Sequence, residues 1–289
     1  MVFTMTQGST RAPFHILGEE GQSPIVIAVP HAGRYYPPDV LARARVDRAV
    51  LDRLADPYVD VFADALARQG PFVLVADMAR AAMDLNRAAQ EWDARDVTGA
   101  EPRAPPSRRV LSGLGLIPRQ LHGVGDLWRR RMDAEALRAL VDSYHRPWHG
   151  AIADALIAAR ARFGMAILID LHSMPTQALA RPQWVIGDRH GRAASGELAE
   201  RLIAVGEGAG LIAARNHPYA GGYAVEAHGR PTQRIEAVQI EIDRALYLTP
   251  GGAPDGAGCA RIAAILAHCV ETAAQYVGAS GQGWAEAAE

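Results

Sequence analysis

A mixed, mostly parallel central sheet covered by helices on both faces is the α/β fold this sequence predicts, and three observations predict it. Short apolar runs recur along the chain: "PIVIAVP" (24–30), "PFVLVAD" (71–77), "MAILIDL" (165–171), "QWVIG" (183–187) and "AVQIEI" (237–242). Amphipathic stretches of helical length lie between them, at 52–69, 134–163, 195–208 and 257–276. Strands that alternate with helices form sheets covered on both faces, and their buried strands are near-continuous Val/Ile/Leu runs. No repeat or convincing linker divides the core, so residues 1–289 are expected to form one catalytic-size domain with a core of about 24–277. The segment 93–109, rich in charge and proline, and the tail after Gly278 are expected to be the least ordered.

Composition narrows the function. Of the 289 residues 49% are hydrophobic and 21% charged, enough for a full core. A formal net charge of -2 gives no support for general nucleic-acid binding or adhesion to an anionic membrane. Cys259 and Cys269, ten apart in a helical stretch, match neither a zinc-finger nor a disulfide-scaffold pattern and read as thiols of a reducing compartment. There is no basic segment leading into a long apolar run at the N-terminus, and no stretch of about 18 uninterrupted apolar residues. The expectation is a soluble cytoplasmic protein with a small-molecule partner.

Polar groups collect where the strands end. "ILIDLHSMP" (167–175) runs from an apolar strand into Asp170, His172 and Ser173 before Pro175 stops it, and "VIAVPHAGRYYP" (26–37) places His31 directly after another strand. Gly33 allows a tight path beneath that histidine. Loops at the carboxyl ends of strands in open α/β sheets are where ligands and catalytic groups sit, although a lone histidine at a strand end also suits a structural hydrogen bond. Two neutral imidazoles, a carboxylate and water make a zinc site. "LADPYVDVFAD" (54–64) offers Asp56 and Asp60 on one helical face, which equally suits a solvated helix start.

Two further segments carry substrate chemistry. "ADMARAAMDLNRAAQ" (76–90) follows a strand and gathers Arg80, Asp84, Asn86 and Arg87. An arginine fork binds a carboxylate at two points and asparagine donates to one oxygen, so Asn86 and Arg87 suit a small carboxylate, while Arg80 suits charge developing on a carbonyl oxygen. A surface salt-bridge cluster would read the same way. In "RIEAVQIEIDRALYL" (234–248), Gln239, Glu241 and Asp243 alternate with Val238, Ile240 and Ile242. A carboxylate inside an apolar run is costly without a task, and Glu241 suits proton removal from water beside a metal. The glycine-rich segment 216–231 reads as a loop over a ligand or a hairpin tip, with His217 and His228 as ordinary structural histidines. "YHRPWH" (144–149) sets His145 and His149 four apart, but Pro147 intervenes and the glutamate of a His-Glu-x-x-His pair is absent, which favours bracing over ligation.

Together, "VPHAGRYYP", "DPYVD", "RAAMDLNR", "YHRPWH", "LIDLHSMP", "HPYAGGYAVEAHGRP" and "VQIEIDRALY" resemble, in this order, the N-formylglutamate amidohydrolase family, from about residue 26 to 248. That family looks like a distant branch of the zinc-dependent carboxypeptidase and aspartoacylase (exopeptidase-like) fold. The resemblance implies one divalent metal ion, zinc, held by His31 and His172, with Glu241 as acid/base and Arg80 polarising the carbonyl. It makes Asn86 and Arg87 the carboxylate receptor, with His149 touching substrate or bracing the site. The carboxypeptidase pattern has its acidic ligand three residues after the first histidine; here that residue is Arg34. Asp56 is the expected third ligand, with Asp60 and Asp170 behind it, and Asp170 is expected to orient the site beside His172. The implied reaction is hydrolysis of a small N-acyl amino acid, N-formyl-L-glutamate first, within amino-acid catabolism such as histidine degradation. A two-metal ureohydrolase and a non-catalytic small-carboxylate binder are the alternatives; the first wants a carboxylate two residues after "DLH" that the chain lacks.

Overall fold

The structure is a computed structural model that describes residues 12–101, 105–176 and 181–287, with side chains described as far as residue 280. Contacts along the chain group it into two compact units, one comprising residues 16–29, 57–74 and 152–289, the other the remainder.

The first unit carries the sheet, apart from Phe14, His15, Val75 and Ala76 at two strand ends. Its strands are β1 (Phe14–Leu17), β2 (Ile25–Val29), β3 (Phe72–Ala76), β4 (Ala166–Met174), β5 (Trp184–Gly187), β6 (Ala213–Arg215) and β7 (Ile235–Asp243). They lie side by side in the order β1-β3-β2-β4-β7-β5-β6. β2 runs parallel to β4, and β7 runs parallel to β4 from Ile235 opposite Ala166 to Asp243 opposite Met174. β5 is antiparallel to β7, and β6 is parallel to β5. The sheet is therefore mixed and mostly parallel. Every residue of β4 and of β7 is buried, so both faces are covered there, the condition under which parallel sheets persist.

Four longer helices are α1 (Ala134–Leu140), α2 (Arg146–Phe163), α3 (Gly196–Gly208) and α4 (Gly256–Ala287). α3 begins where the sequence says it should: Ser195 caps it, its Oγ accepting the Leu198 N–H at 3.1 Å, and Leu198, Ala199, Leu202 and Ile203 form the buried stripe. In α4 the stretch Gly256–Ser280 is long and apolar enough to cross a membrane by length and composition. Its buried Ile262, Ile265, Leu266, Cys269, Val270, Ala273, Tyr276 and Val277 follow a 3.6-residue period, however, which marks one stripe packed against protein.

Several expectations need correction. The stretch 52–69 is not one helix: Pro57 lacks the N–H a helix needs, and the chain makes short 3₁₀ turns at Asp52–Leu54 and Val59–Phe62 before the short helix Ala63–Ala67. The predicted helix 134–163 is continuous, but Val141–His145 forms a π-turn between α1 and α2. Segment 216–231 is neither an open loop nor a hairpin tip, because Tyr223–His228 is helical. The tail after Gly278 continues α4 to Ala287; no proline interrupts it, and extending an existing helix is cheap. Within 93–109, Val97–Thr98 and Arg108–Leu111 are ordered elements, and residues 102–104 lie outside the described residues.

Packing of α3 on the sheet yields a stability test. A Cβ at Gly206 would stand 2.6 Å from Cδ1 of the fully buried Trp184. Gly→Ala inside a helix normally gains up to ~1 kcal/mol, whereas overpacking a tight core costs ~1–3 kcal/mol. Gly206→Ala should therefore destabilise the protein by about 1–2 kcal/mol in denaturant titration, despite improving helix propensity.

Candidate metal centre

His31 leaves β2 through Pro30 and is 2% exposed. The close packing beneath it explains Gly33, where a Cβ would lie 2.1 Å from the Met78 carbonyl oxygen. The His31 carbonyl accepts the Asp56 N–H at 3.0 Å, which ties the strand exit to the second acidic segment. Asp56 directly precedes Pro57, a position biased toward extended backbone, and is itself 2% exposed.

The two edges of the His31 ring face different carboxylates. Nε2 stands 2.7 Å from Asp84 Oδ1 and Nδ1 3.4 Å from Asp56 Oδ2. With the shorter contact made by Nε2–H, Nδ1 presents a lone pair toward an oxygen that also carries lone pairs. Asp84 is drawn into a dense set of donors: Arg80 Nε at 3.1 Å, the Asn86 N–H at 2.9 Å and His31. Burial alone would raise its carboxyl, but the hydrogen bond from His31 and the charges of Arg80 and Arg87 hold it well below the usual carboxylate range. Sequence reading gathered Asp84 with its neighbours but gave it no role; the signal was a lone acid in an Ala-rich, otherwise apolar run.

On the sheet, the register aligns a second set. Asp170 and His172 are two apart on β4 and so project from one face; Gln239 and Glu241 pair with them directly on β7. Asp170 Oδ2 lies 2.9 Å from His172 Nε2, the contact expected of a group that orients the ring. Gln239 receives the Gly222 N–H on Oε1 at 2.7 Å and donates from Nε2 to Glu241 Oε1 at 2.7 Å. Gln239, Glu241 and Asp243 are buried, at 5%, 6% and 6% exposure. The alternation in this strand thus separates an apolar buried face from a polar buried face, not core from solvent. Ser173 accepts from Arg244 Nε at 3.1 Å, as befits a hydrogen-bonding neighbour.

His31 and Asp56 are buried side by side in one unit, and His172 is buried in the other; each is a residue type that can offer a metal one ligand atom. In a tetrahedral zinc site, bond lengths of ~2.0–2.2 Å set the ligand atoms about 3.4 Å apart. The Nδ1–Oδ2 separation of 3.4 Å matches that spacing, and facing lone pairs are what a cation would reconcile. Two imidazoles and one carboxylate are a suitable donor set. Asp60 and Arg34 do not enter this group; Arg34 is exposed and offers its carbonyl to Arg48.

Residues 85–87 form a buried turn without regular hydrogen bonding. Nε2 of His145 meets the Arg87 carbonyl at 2.7 Å and Nε2 of His149 meets the Leu85 carbonyl at 2.9 Å. The carbonyl partners place a proton on Nε2 of both rings, whose centroids are 4.5 Å apart. Burial lowers the His145 pKa, favouring the neutral ring. Pro147 does not separate these histidines; both brace the turn. Arg87, 6% exposed, gives Nε to the Leu114 carbonyl and Nη1 to the Asn86 carbonyl. Among the described residues, two of its five N–H groups hold the loop and three remain. His217 is exposed, but His228 lies close enough to Asp170 to feel its charge. Burial, reinforced by Arg230, lowers the His228 pKa to about 4 against that attraction, so this ring is neutral at physiological pH. A sequence reading that treated it as unremarkable missed its neighbourhood.

Comparison with known proteins agrees with this arrangement of segments. The N-formylglutamate deformylase of Pseudomonas aeruginosa is 28% identical over 240 residues, 80% of this chain and 84% of the relative. The enzyme of that name from Pseudomonas putida is 27% identical, over 79% of this chain and 83% of its own length. The crystal structure of N-formylglutamate amidohydrolase from Ralstonia eutropha superimposes with a TM-score of 0.85 at 29% identity, covering 93% of this chain and all of that one. The family model matches residues 23–248, a span that contains every residue assembled above, and the chain belongs to the N-formylglutamate amidohydrolase family.

Proposed function

We propose that this protein is a metal-dependent amidohydrolase that converts N-formyl-L-glutamate and water to formate and L-glutamate, its two units serving as one catalytic domain. The observation that carries the metal is the 3.4 Å approach of His31 Nδ1 to Asp56 Oδ2, both buried. The names borne by the relatives carry the substrate. A zinc-like ion held by those three residues would supply Lewis acidity toward the formyl carbonyl and lower the pKa of water.

The chain's own groups do the remainder. Glu241, held by Gln239 at one oxygen, takes a proton from the attacking water and returns it to the leaving amine. Arg80, whose Nε is fixed on Asp84, offers positive charge where the carbonyl oxygen becomes anionic. Asn86 and the remaining N–H groups of Arg87 receive the substrate carboxylate, while His145 and His149 hold the backbone that presents them. Asp84 and Asp170 keep His31 and His172 oriented. The metal group contains a single carboxylate, which favours this reading over a two-metal ureohydrolase.

Three experiments test these roles. His172→Ala and His31→Ala should each lose bound metal and hydrolysis together while keeping the far-ultraviolet circular dichroism of the parent; metal content at the parental level in either variant would overturn the metal site. Glu241→Gln should retain metal yet lose turnover by ~100-fold or more, the usual effect of removing a positioned acid/base group. Steady-state kinetics near the parental rate would move that role elsewhere.

The carboxylate receptor is tested on substrates. Arg87→Lys should weaken kcat/KM for N-formyl-L-glutamate by ~2–5 kcal/mol, since an ammonium cannot reproduce a planar two-point contact. It should leave simple formyl amides unaffected. Equal loss on both substrate types would show a general defect instead of a lost carboxylate contact.

A further inference from the structure

None of the residues assigned above lines the arginine-rich cavity formed within the second unit. Arg119, Trp128, Arg129, Arg130, Arg131 and Asp96 are among its walls, and its volume is about 320 Å³. The charges are unevenly matched. Arg95 is paired with Asp93, and Arg119 lies between Asp96 at 3.2 Å and Asp126 at 3.3 Å. Among the described residues Arg129, Arg130 and Arg131 have no carboxylate partner: Arg129 Nε donates to the Ala44 carbonyl, Arg131 Nη1 donates to the Ala94 carbonyl, and the Arg130 guanidinium makes no hydrogen bond.

A fourth arginine stands behind them. Arg43 is 7% exposed, its guanidinium carbon lies 5.0 Å from the Trp128 ring centroid, and its Nη1 donates to the Arg130 carbonyl. Its Nη2 is buried with no hydrogen-bond partner, and Asp96 Oδ1 and Arg119 Nε, ion-paired with each other, also lack hydrogen bonds. Burial, with the charge of Arg130 added, pulls the Arg43 pKa down to about 10. A buried donor without a partner is costly, and so is a concentration of like charge. The cost of the concentrated charge falls when an anion enters.

We propose that this cavity is a second binding site that takes a small, multiply charged oxyanion, a phosphoryl group or a polycarboxylate. Guanidinium forks match the oxygens of either class at two points, and several converging on one cavity suit a multiply charged ion. Asp96 and Asp126 at one side disfavour an extended polyanion, so the ligand is compact.

Thermal unfolding of the metal-loaded protein, with inorganic phosphate, with tricarballylate and with potassium chloride at equal ionic strength, tests the site. An anion that binds the folded state raises Tm by mass action. Phosphate or tricarballylate should raise Tm by several degrees beyond chloride, and the larger shift identifies which of the two chemistries the cavity takes. Arg130→Gln combined with Arg131→Gln, both exposed positions, should abolish that shift and leave hydrolysis of N-formyl-L-glutamate unchanged. The charge-reversed pair Arg130→Glu and Arg131→Glu should do the same. Shifts no larger than chloride gives would overturn the proposal. So would shifts that survive both double variants, since the anion would then be bound elsewhere, the metal centre included.

Discussion

A carboxylate sealed from water organises the loop side of the site. Asp84 is 1% exposed, and an ionised acid at that depth persists only if donors and positive charge replace its hydration. Here the replacements are His31, Arg80, Arg87 and the Asn86 N–H, and each belongs to a residue that the proposed mechanism uses. Satisfying Asp84 therefore fixes the ring of His31, the direction of Arg80 and the start of the 85–87 turn in a single step. The same constraint runs through the backbone. Residues 81–88 are buried without belonging to a helix or strand, so their peptide groups must find partners elsewhere. His145, His149, Arg87 and the Leu116 carbonyl supply them.

The sheet side solves the same problem by a different route. Asp170, His172, Gln239 and Glu241 need no loop to bring them together, because the parallel register sets them opposite one another on adjacent strands. Asp170 stands to His172 as Asp84 stands to His31: a buried carboxylate oxygen within hydrogen-bonding distance of the ring's Nε2. This repeated pairing accounts for two of the buried acids that carry no proposed ligand role.

The sequence revealed the sheet side more fully than the loop side, and the reason is physical. β2, β4 and β7 are long or wholly buried, so their apolar runs stand out, and the polar groups at their ends are conspicuous against them. β1 and β6 escaped notice because they are short strands at the two ends of the sheet order, largely unburied and without a strong pattern. The break at Pro57 was written in the chain but outweighed by the amphipathic spacing around it. Asp84 and Gln239 gained no role because their partners lie far off in sequence or across a strand pair, where periodicity is silent. His145 and His149 were weighed as ligands or braces. That they clasp carbonyls of one buried turn depends on a π-turn, a one-residue insertion into helical phase that no spacing rule announces.

The nine-residue pairing of β4 with β7 has a consequence for how the protein comes apart. Central ladders of this kind open only with the whole molecule, while turns held by side-chain contacts open locally at lower free energy. His172 and Glu241 belong to the first kind and Asn86 and Arg87 to the second. These two sets of buried polar residues are thus built on parts of unequal permanence. As the protein warms or loses stability, the turn that carries Asn86 and Arg87 slackens first, and the paired strands that carry His172 and Glu241 outlast it.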